Sequence, residues 1–205
     1  MIGVEDEGGL RIIRLERPEK ANALTAGMLE EIALAARGAW DAGARALILT
    51  GAGKVFSAGA DLDAAKAGLA TDPVWERASS AIAAFPGLSI AALNGTLAGG
   101  AFGVALACDL RIAVPGANFF YPVMKLGYLP QPSDPARLVA LIGPARARLI
   151  LMAGARIGAQ EALAFGLIDR IVESGEVTDA ARALAHDALA ARPDHVAAIR
   201  RMTLA

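Results

Sequence analysis

The segment Leu93–Asp109, LNGTLAGGAFGVALACD, contains two glycine turns and no charged residue before Asp109. The apolar run Leu88–Leu93 ends at the turn dipeptide Asn94-Gly95, and Gly99-Gly100 come directly before an apolar helical pattern over Ala101–Cys108. The pattern predicts a buried strand, a tight glycine turn and a buried helix. A transmembrane span is disfavoured because the glycine pairs interrupt the apolar run.

The Gly99-Gly100 turn has two interpretations. Without a Cβ atom, glycine lets a neighbouring strand or helix pack closely. Alternatively, the first amides of the following helix have no partner inside it and lie at the positive end of its dipole, so they suit an anion or a developing oxyanion. This segment alone favours the packing interpretation.

A second glycine-bearing turn changes that balance. Val55–Leu62, VFSAGADL, follows the strand-like run Ala44–Thr50, so it is again small backbone placed after a buried strand. Two such turns can supply one amide each to a single carbonyl oxygen.

Four segments of the chain resemble the crotonase family, also called the enoyl-CoA hydratase/isomerase superfamily. They are LERPEKANAL (Leu15–Leu24), LILTGAGKVFSAGADL (Leu47–Leu62), Leu93–Asp109 and the weaker match ALAFGLIDRIV (Ala162–Val172). The segments follow one another in order along nearly the whole chain, which makes the resemblance far more specific than one glycine motif.

The resemblance implies a single crotonase-like domain over residues 1–205. Its core is a spiral of ββα repeats over about residues 1–172, with C-terminal helices over about 173–205. It also implies a homotrimer or a dimer of trimers (a homohexamer). The family usually continues with a further helical segment over the acyl pocket, so we expect an open pocket or cover from elsewhere. Periodicity alone predicts an α/β domain and favours a doubly wound sheet.

In crotonase-like proteins two backbone amides bind the thioester oxygen of the substrate, and the matching positions here are Ala60 and Gly100. Enolisation of a thioester places negative charge on that oxygen, and two fixed donors stabilise it. The implied substrate-binding residues are Lys20, Ala21, Ala23, Ala58, Asp61, Leu62 and Gly99.

The resemblance also implies that the segments 20–24 and 58–62 border the coenzyme A chain. Lys20 and Arg17 are candidates for contacts with its phosphates. A solvated turn is an equally good interpretation of these two basic residues.

The chain departs from the hydratase pattern at both acid/base positions. The first hydratase glutamate falls at Gly103 and the second at Val123, and neither side chain transfers a proton. Candidate replacements near the expected acyl pocket are Tyr121, Tyr128, Gln131 and Asp134. Structural roles compete with each of them: Tyr121 as a core aromatic, and Asp134 as a cap of the helix that begins near Pro135.

Other site classes fit the sequence poorly. Gly51-Ala-Gly53-Lys54 lacks the spacing of a P-loop, and Phe56 stands where a dinucleotide-binding turn needs glycine. Ser57 lacks the first glycine of a nucleophile elbow, because Val55 precedes it by two positions. One cysteine, Cys108, and two histidines disfavour a transition-metal site, so no metal is expected.

Charge and composition limit the classes of molecule that the chain is expected to bind. With 55% hydrophobic residues and a formal net charge of −1, we expect a folded cytoplasmic protein that binds neither nucleic acid nor membranes. The expected partner is an acyl-CoA thioester, with coenzyme A as part of the substrate and no tightly bound cofactor.

Three hypotheses about function remain open. The first is an acyl-CoA enzyme that stabilises a thioester enolate with non-standard acid/base groups; decarboxylation suits this hypothesis better than hydration. The second is a hydratase or isomerase of very low activity. The third is a non-catalytic acyl-CoA-binding or assembly subunit.

Overall fold

The computed structural model describes residues 1–203, and its strands form two sheets. The larger sheet has the order β1-β2-β3-β5-β7-β10 and the smaller sheet the order β4-β6-β8-β9. The strands are β1 (Ile2–Glu7), β2 (Leu10–Leu15), β3 (Ala46–Gly51), β4 (Val55–Ser57), β5 (Leu88–Leu93), β6 (Thr96–Ala98), β7 (Leu110–Ala113), β8 (Asn118–Phe120), β9 (Ile157–Gly158) and β10 (Arg170–Ile171).

Helices follow the strand pairs. They are α1 (Ala26–Arg37), α2 (Leu62–Lys66), α3 (Val74–Ala83), α4 (Ala101–Leu106), α5 (Val123–Leu126), α6 (Asp134–Leu151), α7 (Ala159–Phe165), α8 (Val177–Ala190) and α9 (Pro193–Thr203). Short 3₁₀ turns cover Pro18–Lys20 and Leu69–Thr71. The predicted C-terminal helices are present up to residue 203, and positions 204 and 205 lie outside the described residues.

Successive strand pairs repeat one arrangement, which makes the fold a spiral of ββα units. In the pairs β3-β4, β5-β6 and β7-β8, the first strand joins the larger sheet and the second joins the smaller one. Equivalent strands of neighbouring repeats pair in parallel within each sheet. The spiral that the family resemblance implies is therefore confirmed. The doubly wound sheet is wrong, because β4, β6 and β8 each leave the sheet that the preceding strand joins.

The core lies between the sheets and the helices. β3 is buried along its whole length, which explains its uninterrupted apolar sequence. α1 and α3 pack against each other and bury Leu29, Ile32, Ala78 and Ile82, and α8 lies against β3, β5 and β7 of the larger sheet. Cys108 belongs to this core, and burial raises the pKa of its thiol to about 12.

Most predicted elements appear within a few residues of their expected bounds. The strand β1 was missed, because Glu5, Asp6 and Glu7 hide its alternation; it is an edge strand that pairs antiparallel with β2. Within residues 1–203, no helix is long and apolar enough to cross a membrane. The same residues contain no group of three His, Cys, Asp or Glu side chains arranged to hold a metal ion.

Candidate functional site

A pocket of about 240 Å³ lies where the predicted turns meet the segment after β8. Its walls are mostly apolar or backbone. The lining residues are Ala58, Ala60, Leu62, Ala65, Ala70, Trp75, Ala98, Gly99, Gly100, Phe120, Tyr121, Pro122, Val123, Leu126, Tyr128, Leu129 and Gln131. Eight of the residues predicted from the sequence therefore line one cavity: Ala58, Ala60, Leu62, Gly99, Gly100, Tyr121, Tyr128 and Gln131.

The first turn of the pocket is fixed by pairing between the segments 20–24 and 58–61. The amide of Ala58 donates to Ala21 O at 2.9 Å, the amide of Leu24 donates to Gly59 O at 2.8 Å, and the amide of Asp61 donates to Leu24 O at 2.9 Å. These bonds use the Gly59 carbonyl oxygen and the Asp61 amide, on either side of Ala60. The two segments that the resemblance assigns to the coenzyme A chain therefore lie side by side.

Asn22 organises this region, and the sequence analysis missed it. Its side chain is fully buried, and its Nδ2 donates to Ala52 O at 2.8 Å and to Val55 O at 2.7 Å. Its Oδ1 accepts the Arg17 amide at 2.9 Å. Its φ of 52° lies in the left-handed region, which Asn tolerates better than most residues. The sequence signal that could have identified this residue is the asparagine of Lys20-Ala21-Asn22, within the segment that resembles the family.

The two glycine turns touch each other. Gly59 has a φ of 93°, and a Cβ atom at this position would come within 2.9 Å of Ala98 O and 3.3 Å of the Gly99 Cα. Gly100 lies under the indole of Trp75, where a Cβ atom would come within 3.0 Å of the ring. Trp75 is held in place by its Nε1, which donates to Leu69 O at 2.8 Å. Packing and pocket formation therefore both require these glycines.

The amides of Ala60 and Gly100 remain available to a ligand. Within residues 1–203, neither N–H donates a hydrogen bond to a protein acceptor, whereas the neighbouring amides of Asp61 and Gly99 are both bonded. Both residues line the same pocket. Two unpaired backbone donors that line one pocket can hold an anion or a developing oxyanion, so this pair is a candidate site for one.

Other predicted substrate-binding residues lie outside the pocket lining. Asp61 caps α2 by accepting the amides of Asp63 and Ala64, and it forms an ion pair with Arg17 at 2.8 Å. The bond from the Ala64 amide, followed by the Arg17 guanidinium, lowers the pKa of the Asp61 carboxyl. Lys20 is exposed near this pair. Ala21 and Ala23 contribute backbone acceptors: Ala21 O accepts the Ala58 amide, and Ala23 O accepts a hydrogen of the Arg17 guanidinium.

The two hydratase acid/base positions are both buried. Val123 is buried and lines the pocket, and Gly103 is buried in α4. A Cβ atom on residue 103 would come within 2.8 Å of Asp134 Oδ1. A carboxyl group from α6 thus fills the space beside the glycine.

Asp134 forms a buried pair with Tyr121. The Tyr121 hydroxyl donates to Asp134 Oδ2 at 2.9 Å and accepts the Gln131 amide at 3.4 Å. The predicted capping role of Asp134 is wrong: Ser133 is the N-cap of α6, and the aspartate side chain turns inward to the tyrosine. The ring of Tyr121 stacks on Phe102 at 5.4 Å, so it is also a core aromatic.

Burial sets the protonation of this pair. It raises the pKa of the Asp134 carboxyl to about 7, against the lowering effects of the Tyr121 hydrogen bond and Arg137. Burial, together with the charge of Asp134, also raises the pKa of the Tyr121 hydroxyl. Asp134 Oδ1 is buried and has no partner among the described residues. The pair therefore holds a carboxyl group that changes protonation near neutral pH.

The remaining polar candidates differ in placement. Tyr128 is 40% exposed, as expected of a residue at the pocket mouth. The Nε2 of Gln131 donates to Ala70 O at 3.2 Å, which ties the segment before α6 to the turn at Leu69–Thr71. Beside them, Leu129 exposes 86% of its side chain, so one rim of the pocket is apolar and open to solvent.

Comparison with known proteins identifies the family of the chain. The profile of the family described as enoyl-CoA hydratase/isomerase matches residues 5–204. A probable enoyl-CoA hydratase, echA6, of Mycobacterium bovis is 38% identical over 181 residues, which cover 88% of this chain and 73% of that protein. Carnitinyl-CoA dehydratase of Escherichia coli is 38% identical over 208 residues, with 95% and 77% coverage.

Solved structures give the same assignment. An enoyl-CoA hydratase subunit from Geobacillus kaustophilus superposes with a TM-score of 0.88 at 34% identity, covering 98% of this chain and 79% of that one. A protein from Magnetospirillum magneticum described as a putative enoyl-CoA hydratase/carnithine racemase superposes with a TM-score of 0.91 at 30% identity, with 100% and 82% coverage. The chain belongs to the enoyl-CoA hydratase/isomerase family.

Proposed function

We propose that this protein is an acyl-CoA enzyme that stabilises a thioester enolate with the amides of Ala60 and Gly100. The observation that carries the proposal is that both N–H groups lack protein partners within residues 1–203 and belong to one apolar pocket. Fixed donors in such a pocket stabilise charge that develops during reaction, and removal of one costs about 2.7–4 kcal/mol in a well-studied case. The names of the relatives, a hydratase and a dehydratase of CoA thioesters, support the substrate class.

In this proposal, the coenzyme A chain runs along the paired segments 20–24 and 58–62. Backbone groups of Ala21, Ala23 and Ala58 border it, and the exposed Lys20 reaches its phosphates. Arg17 is the second candidate for that contact: its Nη1 donates to Asp61 and to the Ala23 carbonyl oxygen, and within residues 1–203 its Nη2 donates to no protein acceptor. No tightly bound cofactor takes part.

The proposed reaction is decarboxylation of a malonyl-type thioester rather than hydration. The bond between the α-carbon and the carboxylate carbon breaks, CO₂ leaves, and the electron pair becomes the enolate whose oxygen the two amides hold. This step needs no base. A glutamate at position 103 or 123 would repel the substrate carboxylate by about 1 kcal/mol in water and by several times that in a drier site. Val123 instead presents an apolar wall, which favours loss of charge.

The test compares two activities of the purified protein: CO₂ release from methylmalonyl-CoA and hydration of crotonyl-CoA. We expect CO₂ release, with hydration at least about 100-fold slower, because the usual contribution of a general acid or base is missing. Robust hydration would overturn the proposal. Binding of both thioesters with neither activity would favour a non-catalytic acyl-CoA-binding subunit, which the absence of both hydratase carboxylates supports.

We also propose a homotrimer or a dimer of trimers as the working assembly. Its support is the apolar rim of the pocket, where Leu62, Leu126 and Leu129 expose large parts of their side chains. Light scattering at micromolar concentration tests this, and a monomer would contradict it.

A further inference from the structure

The buried carboxyl group of Asp134 lies against position 103, where the hydratase pattern has a glutamate and this chain has glycine. Gly103 stands where hydratases carry their first glutamate, and Asp134 Oδ1 lies 2.8 Å from where the Cβ of residue 103 would be. The aspartate reaches this place from α6, a different element. Its carboxyl is nearly inaccessible to solvent and is connected by a hydrogen bond to Tyr121.

Tyr121 connects this carboxyl group to the pocket. Among the lining residues that the structure describes, four side chains carry an N–H or O–H group: Trp75, Tyr121, Tyr128 and Gln131. The Trp75 N–H is committed to Leu69 O, Gln131 carries an amide that is not an acid, and Tyr128 lies at the mouth. Tyr121 is the buried one that can exchange a proton, and its hydroxyl lies beside the backbone of the lining residue Gln131.

We propose that Tyr121 exchanges the proton of the substrate α-carbon and that Asp134 is the positioning residue that supplies or receives this proton through the Tyr121 hydroxyl. The inference rests on the proposed function, since it assigns the group that protonates the enolate. It replaces the lost glutamate of α4 with a carboxyl group from α6 that approaches the same place.

The hydrogen bond between the two residues has two arrangements. With Asp134 ionised, the Tyr121 O–H donates to the carboxylate, and the phenol oxygen keeps a lone pair free for a proton. With Asp134 protonated, its O–H donates to the phenol oxygen, and the Tyr121 O–H turns to the pocket. In the protonation step the enolate pair forms the new C–H bond, the tyrosine proton is transferred, and the carboxyl proton replaces it. Asp134 then regains a proton from water.

Three charged or titratable groups face Asp134 and shape its titration. Tyr121 donates to it from the segment after β8, Glu76 raises its pKa from α3, and Arg137 lowers it from the same helix. The Glu76 carboxylate is itself held by Ser133, through the amide at 2.9 Å and the hydroxyl at 2.6 Å. The net pKa of about 7 means that both arrangements are populated near neutral pH.

The test follows exchange of the α-hydrogens of propionyl-CoA in D₂O, by mass spectrometry, beside CO₂ release from methylmalonyl-CoA. Exchange removes the α-proton, so it needs ionised Asp134: its rate in the unmodified protein should rise with pH and level off above about 7. Tyr121→Phe should slow exchange at least about 100-fold, with the Kd for propionyl-CoA within threefold. Asp134→Asn should lower kcat for exchange at least about tenfold, leave KM within threefold and abolish the transition near pH 7. Asp41→Asn, at an exposed site in the loop after α1, is the matched control.

The outcomes distinguish a failure of the proposed function from a failure of the roles given to Tyr121 and Asp134. If the unmodified protein neither releases CO₂ nor exchanges hydrogen, the proposed function fails, and this inference fails with it. If the protein releases CO₂ but shows no exchange, only this inference is overturned. The same holds if the exchange rate of Tyr121→Phe is within threefold of that of the unmodified protein. A pH transition that persists in Asp134→Asn overturns the role of the aspartate, as does a parallel loss of exchange and binding.

Discussion

Gly59 lies so close to the carbonyl oxygen of Ala98 that a Cβ atom at position 59 would come within 2.9 Å of it. This contact joins the turn after β4 to the turn after β6, and it brings the Ala60 and Gly100 amides to one pocket. The close approach of the two turns, rather than either turn alone, makes the candidate site.

Gly59→Ala should therefore disrupt the site more than an ordinary left-handed glycine substitution. Gly68 is the matched control, because its φ of 109° is also positive but no atom lies within 4 Å of its Cβ position. We expect Gly68→Ala to cost about 1–2 kcal/mol of unfolding free energy from backbone strain alone. Gly59→Ala should cost at least about 1 kcal/mol more, because backbone atoms must also move. Urea denaturation measures both, and equal costs would contradict the contact.

Asn22 should be indispensable to the segment that borders Ala60. Asn22→Ala leaves the Ala52 carbonyl oxygen and the Arg17 amide without their buried partner, so we expect a loss of about 2–4 kcal/mol. The Val55 carbonyl oxygen keeps only the 3.3 Å bond from Asn94 Nδ2. Asn22→Asp keeps the acceptor for Arg17 but loses both donated bonds, and it should also be strongly destabilised. Thermal unfolding checks this. A change below about 0.5 kcal/mol in the alanine variant would show that water replaces the side chain.

A side chain at position 103 should conflict with Asp134. Gly103→Ala forces a Cβ atom to within 2.8 Å of Oδ1, so we expect a destabilisation of about 1–3 kcal/mol despite the better helix propensity of alanine. Gly116→Ala, where no atom lies within 4 Å, is the control and should stay within about 0.5 kcal/mol. Combining Gly103→Ala with Asp134→Ala should cost less than the sum of the two single changes. Strict additivity in this double-mutant cycle would refute the contact.

Asp134 should make the protein less stable as pH rises. Its folded pKa of about 7 lies above the ordinary value of 3.8, so the folded state binds more protons than the unfolded state between these values. The free energy of unfolding should then fall by roughly 2–3 kcal/mol from pH 5 to pH 8, apart from other groups. Asp134→Asn should remove this part of the slope. Denaturation at both pH values measures it, and identical slopes in the two proteins would contradict the assignment.

The sequence was most informative where backbone chemistry determines structure. Glycine turns after buried strands, at Gly59 and at Gly99-Gly100, indicated the meeting point, because few other residues fit such close contacts. Periodicity failed for the topology, since it reports whether a segment is a strand but not which of two sheets it joins. The spiral arrangement came from the resemblance to a family.

The pairing of Gly103 with Asp134 was beyond the sequence analysis for a different reason. The two residues belong to separate helices, and neither pattern indicates that they touch. Asp134 followed by Pro135 resembles an ordinary helix start, so the local signal favoured a cap. Tertiary packing decided instead: the space left beside Gly103 accommodates the carboxyl group, and Tyr121 provides its hydrogen bond.

The most direct test of enolate stabilisation is infrared difference spectroscopy of propionyl-CoA with a ¹³C label at the thioester carbonyl. Two hydrogen bonds, from Ala60 and Gly100, should polarise the bound carbonyl and shift its stretching band to lower frequency than in free propionyl-CoA. A CoA thioether without the carbonyl oxygen should also bind at least about tenfold more weakly, since it leaves both donors unpaired. A carbonyl band at the frequency of the free thioester, in protein shown to be saturated with it, would contradict the account.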